Sequence, residues 1–133
     1  MLTILPMENQ AEQDALLAGI PEKAAGDARI LMMQDGNERL GWVAVDMEHS
    51  ILRMVHMEIP GCELDKLSGE AVFIADSLMR AAASYGAATG AYRIVSAQPA
   101  LNEFLRARGF TPKETGAETD LSTIVKYTGS TGS

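Results

Sequence analysis

The sequence has a single cysteine, few basic residues and no long apolar run. With Cys62 alone, an internal disulfide framework is excluded. The apolar runs are too short for a membrane-spanning helix or a secretory signal, so we expect a cytoplasmic protein. Only 11 Lys and Arg residues oppose 18 Asp and Glu residues, and the net charge of -7 argues against broad contact with nucleic acid or an anionic membrane. A small or cationic partner is the better expectation.

The length allows one domain. The chain has 133 residues, of which 47% are hydrophobic, and this suffices for one compact core with little room for a second. We place the domain at residues 1–127. Residues 128–133 contain only Thr, Gly and Ser, which cannot bury enough surface to order themselves, so we predict a flexible tail there.

In the first half of the chain, periodicity predicts a helix and a three-stranded meander. Helix-forming residues around Leu16, Leu17 and Ile20 predict an amphipathic helix over 11–25, with a break at 19–21. Apolar runs at 30–33 and 40–45 flank an Asp-Gly pair and predict a hairpin. A turn at 48–50 then leads into a strand over 51–59.

The second half alternates helices and strands. Helical spacing predicts a helix over 70–85, capped by Ser68, supported by the charge of Glu70 and ended by Gly86 and Gly90. A strand at 92–97 precedes a helix that starts near Pro99 and ends at 109, where Phe110 returns to the core. A last strand is expected at 121–127. A meander followed by such alternation predicts an α/β (α+β) fold, a mixed sheet with helices on both faces.

The order of elements over 51–110, closed by Leu105-Arg106-Ala107-Arg108-Gly109-Phe110, resembles the cofactor-binding half of the GNAT superfamily of acyl-CoA-dependent N-acyltransferases. The resemblance spans roughly residues 30–127. It implies a mostly antiparallel central sheet in which one pair of parallel strands splays apart. Acyl-CoA would lie in that cleft, with its pantetheine arm along the backbone of the first strand at Met57 and Ile59. The pyrophosphate would sit on amides at the next helix's N-terminus.

The phosphate loop departs from the family pattern, which reads Arg or Gln, two residues, Gly, one residue, then Gly or Ala. The matching segment here is Glu70-Ala71-Val72-Phe73-Ile74-Ala75. Phe73 adds bulk where a glycine lets amides approach phosphate. A carboxylate about 4 Å from a phosphate costs roughly 4 kcal/mol at an effective dielectric near 20. Lys66 either compensates for Glu70 or is an ordinary solvated lysine.

For catalysis, the resemblance implies a glutamate on the strand that deprotonates the incoming amine. Strand alternation places Leu52, Met54, His56 and Glu58 on one face, which makes Glu58 the candidate base and His56 a second candidate. The alternative is that His56 and Glu58 only pair with each other, or with the neighbours of Arg53, at the rim of the sheet.

The family's usual general acid is a tyrosine on the last helix. Its place is taken by Leu105, which cannot donate a proton, and Gln98 replaces the asparagine that opens the same motif. Tyr85 and Tyr92 could substitute, but both lie on apolar faces typical of a core.

Two functions follow from these residues. The first is transfer of an acyl group, with acetyl-CoA as the expected donor, to a small-molecule amine or a peptide amine. The alternative is a catalytically inactive GNAT-fold binding or interaction protein, which would form a homodimer through exposed strand edges. We predict no metal site, because His49, His56, Glu58, Cys62 and Glu63 show no established zinc spacing.

Overall fold

A computed structural model describes residues 1–125. Its strands are β1 (Leu2–Pro6), β2 (Arg29–Asp35), β3 (Glu38–Glu48), β4 (Ile51–Glu58), β5 (Arg93–Ser96), β6 (Thr111–Lys113) and β7 (Gly116–Asp120). Its α-helices are α1 (Gln10–Ala18), α2 (Glu70–Ala88) and α3 (Asn102–Arg106). Short 3₁₀ helices cover Leu64–Lys66, Pro99–Leu101 and Leu121–Thr123. Within this part of the chain, no helix is both long and apolar enough to cross a membrane.

All seven strands join one sheet in the order β1-β2-β3-β4-β5-β7-β6. Neighbouring strands run antiparallel except β4 and β5, which are parallel because α2 carries the chain back across the sheet between them. The predicted mixed, mostly antiparallel sheet is therefore confirmed. β1, β6 and β7 were not predicted.

The sheet is covered on both faces. The larger apolar cluster lies against α2 and α3 and includes Leu78, Met79 and Leu105. The smaller cluster lies against α1 and includes Trp42 and Val55. Helices on both faces were predicted, and we refer to these as the α2 face and the α1 face.

The meander turns are tight because their residues adopt positive φ. Gly36 has φ 64° in the β2–β3 turn. In the β3–β4 turn the non-glycine residues His49 and Ser50 have φ 52° and 65°, as a two-residue turn of the I′ type requires. Both predicted hairpin connections are confirmed.

The first helix is shorter than predicted and ends before residue 20. The following segment is a loop whose backbone is held by side chains of the sheet. The amide of Ala25 donates to Asp46 Oδ2 at 2.9 Å, and Arg53 donates to the carbonyl of Lys23, also at 2.9 Å. We call residues 20–28 the cover loop.

Helix α2 differs from the prediction at both ends. Its N-cap is Gly69, with φ 57°, and not Ser68, whose backbone oxygen accepts from the Ala71 amide at 3.2 Å. Gly86 lies inside the helix rather than at its end. A Cβ on Gly86 would lie 2.8 Å from Cβ of Leu52, so this glycine permits close approach of α2 to β4.

Helix α3 ends at Arg106, three residues before the predicted end, and the predicted glycine closes the turn that follows it. Gly109 has φ 98°, its amide donates to Arg106 O, and the Phe110 amide donates to Leu105 O, which together form a Schellman motif. Phe110 is buried. The strand predicted at 121–127 is wrong for the described residues, because Leu121–Thr123 is a 3₁₀ helix and the pairing strand is β7. Residues 126–127 and the predicted tail lie outside the described residues.

Candidate functional site

The parallel strand β5 pairs only with the first half of β4. Their register ends at Met54 and Ser96, and the Ala97 amide makes one further bond to Met54 O at 3.0 Å. β4 continues to Glu58, while the chain after β5 turns away into the 3₁₀ helix at 99–101. The two strands therefore splay apart beyond Met54, as predicted.

Gln98 fills the splay with its side chain. Its Oε1 accepts from the Met57 amide at 2.6 Å, and its Nε2 lies 3.4 Å from Met57 O. Gln98 is 9% exposed, and its backbone amide donates to Ser96 Oγ. Gln98 thus satisfies the backbone groups of β4 that β5 leaves open.

A β-bulge at Val55 changes the phase of β4. Ala44 pairs with His56 and Val45 pairs with Met54, so Val55 is the extra residue. Leu52 and Met54 belong to the α2-face cluster. Beyond the bulge, His56 instead contacts residues of the α1 face. The predicted alternation over the whole strand is therefore wrong, although His56 and Glu58 do share a face.

His56 lies between two carboxylates. Its Nδ1 is 2.9 Å from Glu22 Oε1, and its Nε2 is 3.3 Å from Glu58 Oε1. The ring is also 5.4 Å, centroid to centroid, from Trp42. The side chain of His56 is 13% exposed, that of Glu22 23% and that of Glu58 56%, so the chain of groups runs from a half-buried acid out to solvent.

The sequence did not indicate Glu22. It lies in the cover loop, 34 positions before His56, where no local pattern signals a contact. Its placement follows from the two backbone anchors just after it, at Lys23 and Ala25. Asp46, which accepts from the Ala25 amide, is 2% exposed and also accepts two hydrogen bonds from Arg53, at 2.6 and 3.0 Å, so it holds in place the guanidinium that donates to Lys23 O. This carboxylate raises the pKa of Arg53 above its usual value.

The predicted phosphate loop forms the start of α2. The amides of Ala71 and Val72 bond to the carbonyls of Ser68 and Gly69, at 3.2 and 3.1 Å. A concavity of about 370 Å³ opens beside them and is lined by Ile59, Glu70 and Ala71, among others. It lies at the end of the splay, next to the last residue of β4.

The remaining predicted cofactor residues differ in accessibility. Phe73 is 53% exposed, whereas Ile74 and Ala75 are buried in the α2-face core. Glu70 is exposed at the first helical position. Lys66 lines a neighbouring concavity of about 430 Å³, with its Nζ 3.5 Å from Glu63 Oε1.

The tyrosine alternatives do not reach the site. Tyr92 is 59% exposed and its amide bonds to Ser50 O, at the opposite end of β4 from Glu58. Its predicted core position is wrong. Tyr85 lies in the last turns of α2 and packs against the α2-face cluster, as expected for a core residue. Leu105 is fully buried in the same cluster.

A second groove, of about 390 Å³, flanks the splay. Its lining includes Arg53, Ser96 and Lys113, and it crosses β5, β7 and the β6–β7 turn. Among residues 1–125, no group of three or more His, Cys, Asp or Glu side chains is arranged to hold a metal ion.

Comparison with known proteins relates this geometry to solved structures. The ribosomal-protein-S18-alanine N-acetyltransferase from Escherichia coli is 9% identical, covers 95% of this chain and 97% of its own, and superposes with a TM-score of 0.62. The candidate N-acetyltransferase YhhK from E. coli, solved bound to coenzyme A, is 16% identical, with 90% and 98% coverage and a TM-score of 0.58. The toxin AtaT Y144F bound to the C-terminus of its antitoxin AtaR is 14% identical, with 93% and 94% coverage and a TM-score of 0.55.

No family model and no curated protein sequence matches the chain. At 9–16% identity, the structural likeness is one of fold. It spans nearly all of the chain and includes the meander, the splayed strands and the helix between them. The chain therefore has the GNAT fold and is a divergent example of it.

Proposed function

We propose that the protein is an N-acyltransferase that moves an acyl group, with acetyl the expected one, from acyl-CoA to an amine. The observation that carries the proposal is the position of Glu58 and His56 at the open end of the splayed strands, on a shared face. Titratable groups at that end of the cleft are what proton removal from an amine requires. The fold neighbours named as N-acetyltransferases support the same class of chemistry.

Glu58 is the proposed base. A protonated amine has no lone pair for attack, so its proton must pass to a group within hydrogen-bond reach. Glu58 is the more exposed of the two carboxylates beside His56, which suits contact with an incoming substrate. Bound acyl-CoA would supply the activated thioester carbonyl.

The residues present fit acyl-CoA in part. The concavity at the start of α2 offers space beside the helix N-terminus, whose dipole favours a phosphate. Backbone groups of Met57 would hold the pantetheine arm only after Gln98 releases them. Glu70 and Phe73 stand at the same helix end, where a negative charge and a bulky ring oppose phosphate binding.

The substrate we propose is a small-molecule amine or a peptide amine. The net charge of -7 and the two carboxylates around His56 both attract a cationic acceptor. We propose no nucleic-acid or membrane partner.

The second candidate is a GNAT-fold binding protein without catalysis. Specific observations favour it: Gln98 occupies the splay, Leu105 is buried where a tyrosine acid would stand, and Glu70 heads the phosphate helix. Pairing of two copies through strand edges stays a prediction of this candidate.

Calorimetric titration with acetyl-CoA and, in parallel, with CoA tests the first proposal. Micromolar binding supports it, and no binding up to millimolar concentration eliminates it in favour of the second candidate. Where acetyl-CoA binds, amines are screened by release of the CoA thiol. Glu58→Gln should then reduce turnover about 100-fold or more while binding stays intact. Glu48→Gln, at the far end of the same hairpin, is the matched control, and equal turnover of both variants would remove Glu58 from the mechanism.

A further inference from the structure

We propose that Glu22 is a positioning residue that fixes the proton on Nδ1 of His56, so that Nε2 can take over the proton that Glu58 removes from the amine. This inference deepens the proposed function and rests on it. It assigns a role to the cover loop, which otherwise has no part in the site.

The first step of the argument is the geometry at Nδ1. Glu22 Oε1 lies 2.9 Å from this nitrogen. An ionised carboxylate can only accept, so this contact is a hydrogen bond only if the nitrogen carries a proton. A neutral ring holds one proton, so a proton on Nδ1 leaves a lone pair on Nε2. That lone pair then faces Glu58 Oε1 at 3.3 Å. An acid that sets the tautomer of a histidine and stabilises its charged form is the logic of serine hydrolase triads.

The second step is a competitor for the same nitrogen. Gln98 Nε2 lies 3.1 Å from His56 Nδ1, and an amide NH₂ can only donate. Gln98 and Glu22 therefore require opposite tautomers. With Glu22 in place, Nδ1 donates to the carboxylate and the Gln98 amide keeps its bonds to Met57. Without the Glu22 carboxylate, the side-chain amide of Gln98 donates to Nδ1 and the ring proton moves to Nε2. Nε2 can then no longer accept a proton from Glu58.

The third step is the rigidity of Glu22. The adjacent residue Lys23 accepts a hydrogen bond from Arg53 through its carbonyl, and the Ala25 amide donates to Asp46. Both partners belong to the sheet, and Asp46 is buried. A carboxylate whose backbone is held on this scaffold can orient a ring, because the loop that carries it is already in place.

The groups that face His56 come from four elements. They are Glu22 of the cover loop, Glu58 of its own strand, Gln98 after β5, and the uncharged Trp42 of β3. Two of the four are acids and none is a cation, so a charged ring is balanced on both nitrogens. In the proposed step, the amine proton passes to a carboxylate oxygen of Glu58 and then to Nε2. The imidazolium keeps its Nδ1 proton on Glu22 and returns the other proton to solvent before the next turnover.

The tautomer of His56 can be read directly from the ¹⁵N chemical shifts of its ring at alkaline pH, recorded where a further rise in pH no longer changes the shifts and the ring is therefore neutral. His49, the second of the two histidines, is exposed in the β3–β4 turn and serves as an internal reference. We expect the Nδ1–H form of His56 in the native chain and the Nε2–H form in Glu22→Ala. The conservative variant Glu22→Gln retains an oxygen acceptor and should restore the Nδ1–H form. An Nε2–H ring in the native chain, or no change in Glu22→Ala, would overturn the proposal.

Turnover provides the second readout. Glu22→Ala should lower kcat about 10- to 100-fold, with KM for acetyl-CoA unchanged, and Glu22→Gln should recover part of the loss. A changed tautomer with native turnover would refute the positioning role and leave the acyltransferase proposal standing. If the native protein shows no turnover at all, the proposed function fails and the relay with it, while the ring spectra still decide whether Glu22 sets the tautomer.

Discussion

The hydrogen bond from the Met57 amide to Gln98 should make a measurable contribution to stability. Met57 is 1% exposed, and its amide has its 2.6 Å partner in Oε1 of Gln98. Gln98→Met keeps the volume of the side chain but removes the acceptor. A buried donor left without a partner costs about 1–3 kcal/mol. For a domain of this size, each kcal/mol corresponds to about 4 °C in Tm, so we expect a loss of roughly 4–12 °C.

Urea denaturation gives the free energy of unfolding, and circular dichroism gives Tm. Gln34→Met is the matched control, because Gln34 is partly exposed and its side chain makes only a 3.5 Å contact with Gly36 O. The control should stay within about 0.5 kcal/mol of the native chain. If Gln98→Met is as stable as the control, the Met57 amide finds another partner, and the side chain of Gln98 does not stabilise the splayed end of β4.

The same bond bears on acyl-CoA. Gln98→Ala leaves room beside Met57, so a pantetheine amide could pair with the backbone without first displacing a side chain. If the ligand recovers the 1–3 kcal/mol lost on substitution, acetyl-CoA should bind about 5- to 150-fold more tightly to Gln98→Ala than to the native chain. Unchanged affinity would show that the ligand does not use the Met57 backbone.

Further predictions concern the helices. Partial burial opposes ionisation of Asp76, but hydrogen bonds and charge from Arg80 and Arg108 outweigh it and hold the pKa of Asp76 below its usual value. Because folding lowers this pKa, the ionised Asp76 stabilises the fold above about pH 4, and this stabilisation is lost as the pH falls through the lower, folded pKa. Asp76→Asn should therefore be less stable than the native chain near pH 7 and equally stable in strong acid. Gly86→Ala should destabilise by about 1–2 kcal/mol, because overpacking against Leu52 exceeds the gain in helix propensity, and urea denaturation measures it.

Controls for these predictions lie on the surface. Glu103→Gln removes an exposed ion pair with Arg106 and should change stability little at any pH. Gly26→Ala places a methyl group in open space and should be neutral or mildly stabilising. A pH-independent effect of Asp76→Asn, or a Gly86→Ala variant as stable as Gly26→Ala, would contradict the reasoning.

Local rules predicted the elements whose cause is local. The Asp-Gly turn, the α2 helix and the glycine at 109 are set by turn chemistry, periodicity and backbone freedom, all of which can be read from adjacent residues. The splayed parallel pair was expected only from the family resemblance, because its strands are about 40 positions apart in the chain. The shared face of His56 and Glu58 could also be predicted locally. Both residues lie after the bulge, where side chains two positions apart point to the same side of the strand.

The rest depends on contacts between distant residues. The cover loop is not helical because Asp46 and Arg53 take its backbone groups, and these lie over 20 positions away. Glu22 meets His56 only through that loop. β7 was missed because its residues, including Gly116 and Glu118, are weak strand formers that pair because β5 offers them an edge.

Because of the bulge at Val55, even-numbered side chains of β4 point to one face of the sheet before the bulge and to the other face after it. Up to Met54 the strand directs alternate side chains into the α2-face core, and after Val55 the same parity delivers His56 and Glu58 to the opposite side. Deleting this one residue would leave the strand nearly as long but turn its second half over, so that two ionisable groups would point into an apolar core and Met57 would point away from it. The spacing between Met54 and His56 is thus itself a functional constraint: a single insertion or deletion there would remove the candidate site without substituting any of its residues.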